Sequence, residues 1–159
     1  MSTGPEHRLD HVGIVVPSLD DAIEFFAEHL GARVEFLMDP FEDPTGAAPA
    51  RLGAAHGRSF ALGMLRLGNA RLELLQWWPP HDAPASPADG VGGVHVAVEV
   101  ADVPAALARL RAVPGVRVLG EPATFRGGQT PNLVNAFVTT PWGLLVELLT
   151  WLGPDETDV

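Results

Sequence analysis

From residue 9 to 16, apolar and polar positions alternate with a period of two. Val12, Ile14 and Val16 fall on one side of a strand, and His11, Gly13 and Val15 on the other. Pro17 ends the strand. Ser18 then stands at an N-cap position, with Asp20 and Asp21 in the first turn, where acids favour the helix dipole. Ala22, Ile23, Phe26 and Leu30 recur at helical spacing, and Gly31 closes the helix. Residues 34–38 read as a second strand. The periodicity lapses over 39–58, a stretch rich in Pro, Gly and Ala whose length suits a lid or a surface insertion. Residues 59–67 and 70–77 read as two strands joined at Gly68-Asn69, a hairpin signal. Residues 79–90, with their four prolines, read as a linker.

After Gly92-Gly93 the pattern starts again. Val94, Val96, Val98 and Val100 share one face of a strand, and His95, Ala97 and Glu99 share the other. Asp102 caps a helix through Ala106, Leu107 and Leu110 that Gly115 ends. A strand follows at 116–119, a loop at 121–131, and strands at 133–139 and 144–151. His11 and His95 lie 84 residues apart (95 − 11), and the same offset pairs Val16 with Val100, Ala22 with Ala106, Gly31 with Gly115, Arg33 with Arg117 and Val34 with Val118. The pattern predicts an α+β protein of two βαβββ modules, at about 8–78 and 92–152, joined by a linker at 79–91. Because neither module buries its sheet alone, the whole of 1–159 is expected to form one domain.

Composition narrows the chemistry. The net charge is −10 and all ten basic residues are Arg, scattered along the chain, which argues against nucleic-acid and anionic-membrane partners. No apolar run approaches the ~20 residues of a membrane span, and the first residues lack a signal-peptide layout, so a cytoplasmic protein is expected. With no cysteine, any metal must be held by His, Asp or Glu.

The candidates for that role lie in a repeated hexapeptide. Leu72-Glu73-Leu74-Leu75-Gln76-Trp77 returns 74 residues later as Val146-Glu147-Leu148-Leu149-Thr150-Trp151. A carboxylate inside an apolar strand is costly unless paired or bound to a metal. Arg33 and Arg117, themselves repeated, are alternative partners. Each module thus carries one His in its first strand and one Glu in its last, 62 residues apart in the first copy (73 − 11) and 52 in the second (147 − 95). His11, Glu73, His95 and Glu147 converge in one trough if the two sheets curve towards each other. Two carboxylates neutralise a divalent cation, and two imidazoles suit Ni, Co, Zn, Mn or Fe.

Residues 9–16 (Leu-Asp-His-Val-Gly-Ile-Val-Val), 93–98 (Gly-Val-His-Val-Ala-Val) and 142–148 (Trp-Gly-Leu-Leu-Val-Glu-Leu) resemble the vicinal-oxygen-chelate superfamily. That group includes glyoxalase I, methylmalonyl-CoA epimerase, extradiol dioxygenases and the fosfomycin- and bleomycin-resistance proteins. The resemblance spans about 8–152. It implies a cupped eight-stranded mixed sheet with helices on the outer face, a homodimer, and one divalent metal on His11, Glu73, His95 and Glu147. It also implies a small carbonyl substrate whose α-proton is moved through a metal-stabilised enolate, with Glu73 or Glu147 as the base. A metal-dependent epimerase or isomerase is therefore expected, similar to methylmalonyl-CoA epimerase or to a keto-cyclitol or keto-sugar epimerase. The alternatives are a glyoxalase-type lyase, a metal-dependent dioxygenase, and a non-catalytic protein that binds a drug or natural product. The absence of Lys, and Thr140-Pro141-Trp142-Gly143 in place of a Lys-containing turn, weigh against a CoA handle. Trp77 and Trp151, just beyond the two glutamates, are candidate pocket walls or packing residues. Glu99, in phase with His95, and His56, in the aperiodic segment, are candidate pocket residues or ordinary surface groups.

Overall fold

The computed structural model describes residues 8–41, 43–55, 57–80 and 88–153. The chain divides into two compact units, Met1–Asp82 and Ala83–Val159. The first contains β1 (Val12–Val15), α1 (Leu19–Leu30), β2 (Arg33–Phe41), α2 (Ala47–Arg51), β3 (Ser59–Leu67) and β4 (Ala70–Trp78). Its sheet has the order β1-β4-β3-β2, with β1 parallel to β4 and the other pairs antiparallel.

Helix α1 starts where Ser18 Oγ accepts the Asp21 N–H, and it ends at Gly31 in the left-handed conformation (φ 75°). There the Gly31 and Ala32 N–H groups donate to the carbonyls of Ala27 and Phe26, which satisfies the last turn. The buried stripe is Leu19, Ala22, Phe25 and Phe26. Phe25, which the spacing did not mark, is buried, while Ile23 and Leu30 are only half-buried. A Cβ at Gly63 would lie 3.2 Å from both Ile23 Cδ1 and Leu37 Cδ2, so the glycine lets α1 lie close on β3. The Gln76 Oε1 accepts the Leu19 N–H at 2.7 Å and ties the helix start to β4. The helix covers the face that bears Leu72 and Leu74, and alternation turns Glu73, Leu75 and Trp77 to the opposite face.

The aperiodic segment is more ordered than its composition predicts. Strand β2 runs on to Phe41 through a register shift, and the five-residue helix α2 follows. The local organiser is Asp43, whose carboxylate accepts the N–H groups of Thr45 and Ala48, each at 2.8 Å, and the Thr45 hydroxyl at 2.6 Å. These bonds, that from the Thr45 hydroxyl first, hold its pKa down from 3.8 to about 2. A depressed folded-state value means that this cap is fully formed above pH ~4 and is lost as pH falls through about 2. The Thr45 and Ala48 amide resonances are accordingly expected to titrate with a midpoint near 2, and a midpoint at the ordinary 3.8 would contradict the cap.

The second unit contains β5 (His95–Glu99), α3 (Val103–Arg111), β6 (Arg117–Val118), β7 (Ala123–Thr124), β8 (Leu133–Thr139) and β9 (Leu145–Trp151). Its strand order is β5-β9-β8-β6, with β7 also on β8. Asp102 caps α3 by accepting the Ala105 N–H at 2.8 Å, and Val103, Ala106, Leu107 and Leu110 are buried. The helix stops at Ala112, short of Gly115, which instead turns the chain at φ 82° beside Pro141. Val146 and Leu148 of β9 lie in this core. By alternation Glu147 and Leu149 turn to the other face.

Among the described residues the strands form a four-stranded and a five-stranded sheet, where a single eight-stranded one was expected. The additional strand, β7, falls in the stretch read as a loop. Strand β6 pairs with Val138 and Thr139 and the Leu119 N–H reaches the Phe137 carbonyl, and β7 takes the next part of the same β8 edge, opposite Val134 and Asn135. Among the described residues no helix is long and apolar enough to cross a membrane.

Candidate metal centre

The parallel pairing of β1 with β4 sets Gly13 opposite Glu73 and places His11 one step earlier on the same face. His11 Nε2 lies 3.7 Å from Glu73 Oε2. In the second unit Ala97 stands opposite Glu147, and His95 Nε2 lies 3.6 Å from Glu147 Oε2. Both glutamates are largely covered (18% and 13% exposed), while the imidazoles are more open (37% and 50%). Two donor atoms about 2.1 Å from one ion and about 110° apart would lie about 3.4 Å from each other. Each His–Glu pair therefore fits adjacent positions on a metal. The structure brings His11 to Glu73 and His95 to Glu147. Among the described residues no group of three or more His, Asp or Glu side chains gathers to hold a metal.

Among the described residues, Glu73 and Glu147 face His11 and His95, and neither forms an ion pair with Arg33 or Arg117. Among the described residues of the first unit, Arg66 and Arg71 form ion pairs with acids. Glu35 accepts from both, each at 2.8 Å, and Arg71 also reaches Asp10. The hydrogen bond from Arg66, then that from Arg71, keeps the Glu35 carboxyl below the usual range. The bond to His11 and then the charge of Arg71 do the same for Asp10.

Two residues that the sequence reading passed over hold the pairs in place. Asp10 Oδ2 lies 2.8 Å from His11 Nδ1, which orients the ring with Nε2 towards Glu73. Asn135 Nδ2 donates to Glu147 Oε1 at 2.7 Å. Asn135 is one of only two buried polar residues among those described. The signal was present in the sequence: a polar residue inside the apolar run 133–138 invites the same question as Glu73 and Glu147.

The remaining candidates are dispersed. Trp77 packs its ring 4.9 Å from that of Phe60, with the Arg58 guanidinium 5.8 Å from the centroid, so it belongs to an aromatic cluster on the face of Glu73. Trp151 lies half exposed at the end of β9, opposite Leu133. Glu99 is exposed on the face of His95, in the same rung as Leu149 and Asn135. His56 lies outside the described residues.

Residues 8–148 match the family model of the Glyoxalase/Bleomycin resistance protein/Dioxygenase superfamily, and the chain belongs to that superfamily. A 2-epi-5-epi-valiolone epimerase from Actinomyces sp. is 39% identical over 142 residues, covering 87% of this chain and 76% of the relative. A glyoxalase family protein from Bacillus cereus has a similar structure, with a TM-score of 0.76 and 27% identity over 96% of this chain and 99% of the other. The trypanothione-dependent glyoxalase I of Leishmania major is similar at a TM-score of 0.62 and 26% identity, over 91% and 87% of the two chains.

Proposed function

We propose that this chain is a divalent-metal-dependent epimerase of a small keto compound, a keto-cyclitol in the first instance. The observation that carries the reading is the duplicated His–Glu pair, His11 with Glu73 and His95 with Glu147, on strand faces not covered by the helices. The four side chains are the proposed ligands of one Ni, Co, Zn, Mn or Fe ion. Two carboxylates and two imidazoles match the charge and donor preference of such an ion and leave open positions on an octahedral one. The relative named for epimerising 2-epi-5-epi-valiolone supports the substrate class.

When bound, the metal would supply electrophilic stabilisation of the negative charge that develops on the substrate's carbonyl oxygen. The protein's own part is proton transfer. A glutamate takes the α-proton, the C–H electron pair passes into the enolate, a solvent-derived proton delivered to the opposite face gives the epimer, and the glutamate releases its proton to solvent, with no net change in composition. Trp77 and Trp151 are proposed to line the pocket, with Glu99 and His56 as further candidates at its margin. The reading includes a homodimer. Val15, Phe36 and Phe41 are 61%, 47% and 43% exposed on the glutamate face of the first unit, and a second copy would cover such apolar surface.

The test is solvent exchange. Protein reconstituted with each of the five metals and incubated with 2-epi-5-epi-valiolone in D2O is expected to incorporate deuterium at the α-carbon while the configuration inverts. No incorporation with any metal would overturn the epimerase reading. Turnover of a thiol–ketoaldehyde adduct in its place would select the glyoxalase-type lyase.

A further inference from the structure

The two His–Glu pairs arise from a repeat, yet they are supported in opposite ways. In the first unit the rung through Glu73 runs Gly13–Glu73–Met64–Phe36, and the next runs Val15–Leu75–Leu62–Met38. In the second unit the matching rungs run Ala97–Glu147–Phe137 and Glu99–Leu149–Asn135. Leu75 and Leu149 share the 74-residue offset of the two glutamates, so Asn135 stands where the first unit has Leu62. By the same logic Ala97 stands where the first unit has Gly13.

Both exchanges act on the carboxylates. The Asn135 amide, itself only 8% exposed, donates to Glu147 Oε1 at 2.7 Å. This leaves Oε2, the oxygen nearer His95, as the one presented to a ligand. Glu73 has an apolar leucine at the corresponding place. Among the described residues no side-chain amide or hydroxyl donates to it, and its contact with His11 Nε2, at 3.7 Å, is longer than a hydrogen bond. A Cβ at Gly13 would lie 3.5 Å from Glu73 Oε2, so the glycine leaves room for a methyl group beside that oxygen, and the second unit has Ala97 at the matching position opposite Glu147. The anchors on the imidazoles are reversed: His11 is held by Asp10, while Val94 occupies the matching position before His95.

We propose that Asn135 is a positioning residue that fixes Glu147 as the static metal ligand and leaves Glu73 as the carboxylate that moves during turnover. The inference rests on the metal-dependent epimerase reading above and divides its labour between the two glutamates. In the step it assigns, the substrate's α-C–H bond breaks, its electron pair enters the enolate, and the proton ends on a Glu73 oxygen. Glu73 swings into the space beside Gly13, while Glu147, held by the amide, keeps its place.

The experiment exchanges the two rungs and uses Co(II) as the probe. Co(II) titration, followed by its visible absorption, is run on wild type, Asn135→Leu, Asn135→Gln and Leu62→Asn, with thermal melts of the metal-free proteins alongside. Asn135→Leu is expected to weaken Co(II) binding about tenfold or more and to alter the absorption bands, because a support behind a ligand has that effect. Asn135→Gln, which keeps an amide, is expected to recover part of the loss. Leu62→Asn is expected to keep or raise Co(II) affinity and to lower kcat for α-deuterium exchange more than it changes KM, because the new amide pins Glu73. Unaltered Co(II) binding and spectrum in Asn135→Leu would overturn the role of Asn135. An unchanged kcat in Leu62→Asn would overturn the mobile Glu73. A wild type that takes up no Co(II) would overturn the metal reading itself, and this proposal with it.

Discussion

Replacing Glu147 with alanine is expected to strip the metal from the protein and to reduce α-proton exchange by about a thousandfold or more. Loss of the electrophile removes several kcal/mol of charge stabilisation from the transition state, and about 4 kcal/mol is already a thousandfold in rate. The structure gives the substitution a second consequence. The Asn135 amide is buried and donates to Glu147, so truncation leaves that donor without its acceptor, at a cost of about 1–3 kcal/mol. A fall in melting temperature of about 2–12 °C should therefore accompany the loss of activity. Elemental analysis of wild type and variant, both purified without a metal-chelating tag, decides the point. About one equivalent of metal in the wild type and none in the variant is the expected result, and equal metal content in the two would remove Glu147 from the ligand set.

The second large effect is structural. Leu148 is fully buried between Val98 and Ala136, in the layer that α3 covers. Its neighbour in sequence, Glu147, points to the opposite face, so one substitution tests the core without touching the carboxylate. Leu148→Ala is expected to cost about 2–5 kcal/mol, the transfer term plus the cavity left behind. That corresponds to a fall of roughly 4–20 °C in melting temperature, and Co(II) affinity below the transition should stay near the wild-type value. A stability loss under about 1 kcal/mol by chemical denaturation would show that the second unit's core closes over the gap.

Both expectations depend on the same property of a strand: residues one apart serve different layers. The period-two alternation around His11 and His95 was legible in the sequence, and so were the helix caps at Ser18 and Asp102. These are local matters, settled by backbone geometry within a few residues. The repeat was legible because an offset of 84 and another of 74 survive as simple arithmetic. With it came the four metal candidates, since a carboxylate in an apolar strand calls for a partner wherever it occurs.

Register was not legible in the same way. Which residue of β8 sits beside Glu147 depends on pairing between strands, and a shift of one would have turned Asn135 away. Only the tertiary structure shows that Asn135 reaches Glu147 while its counterpart beside Glu73 is Leu62. The order within 39–58 escaped notice because Asp43 builds it from hydrogen bonds to Thr45 and Ala48, which leave no periodic trace. The ninth strand escaped because β7 exists only by pairing with the part of the β8 edge beyond β6. The chain's own pattern thus determined the helix caps and the duplicated His–Glu pairs, both of which follow from spacing along the backbone. What each carboxylate leans on was decided by strand pairing, because a hydrogen bond between residues far apart in sequence exists only once the register that aligns them is formed.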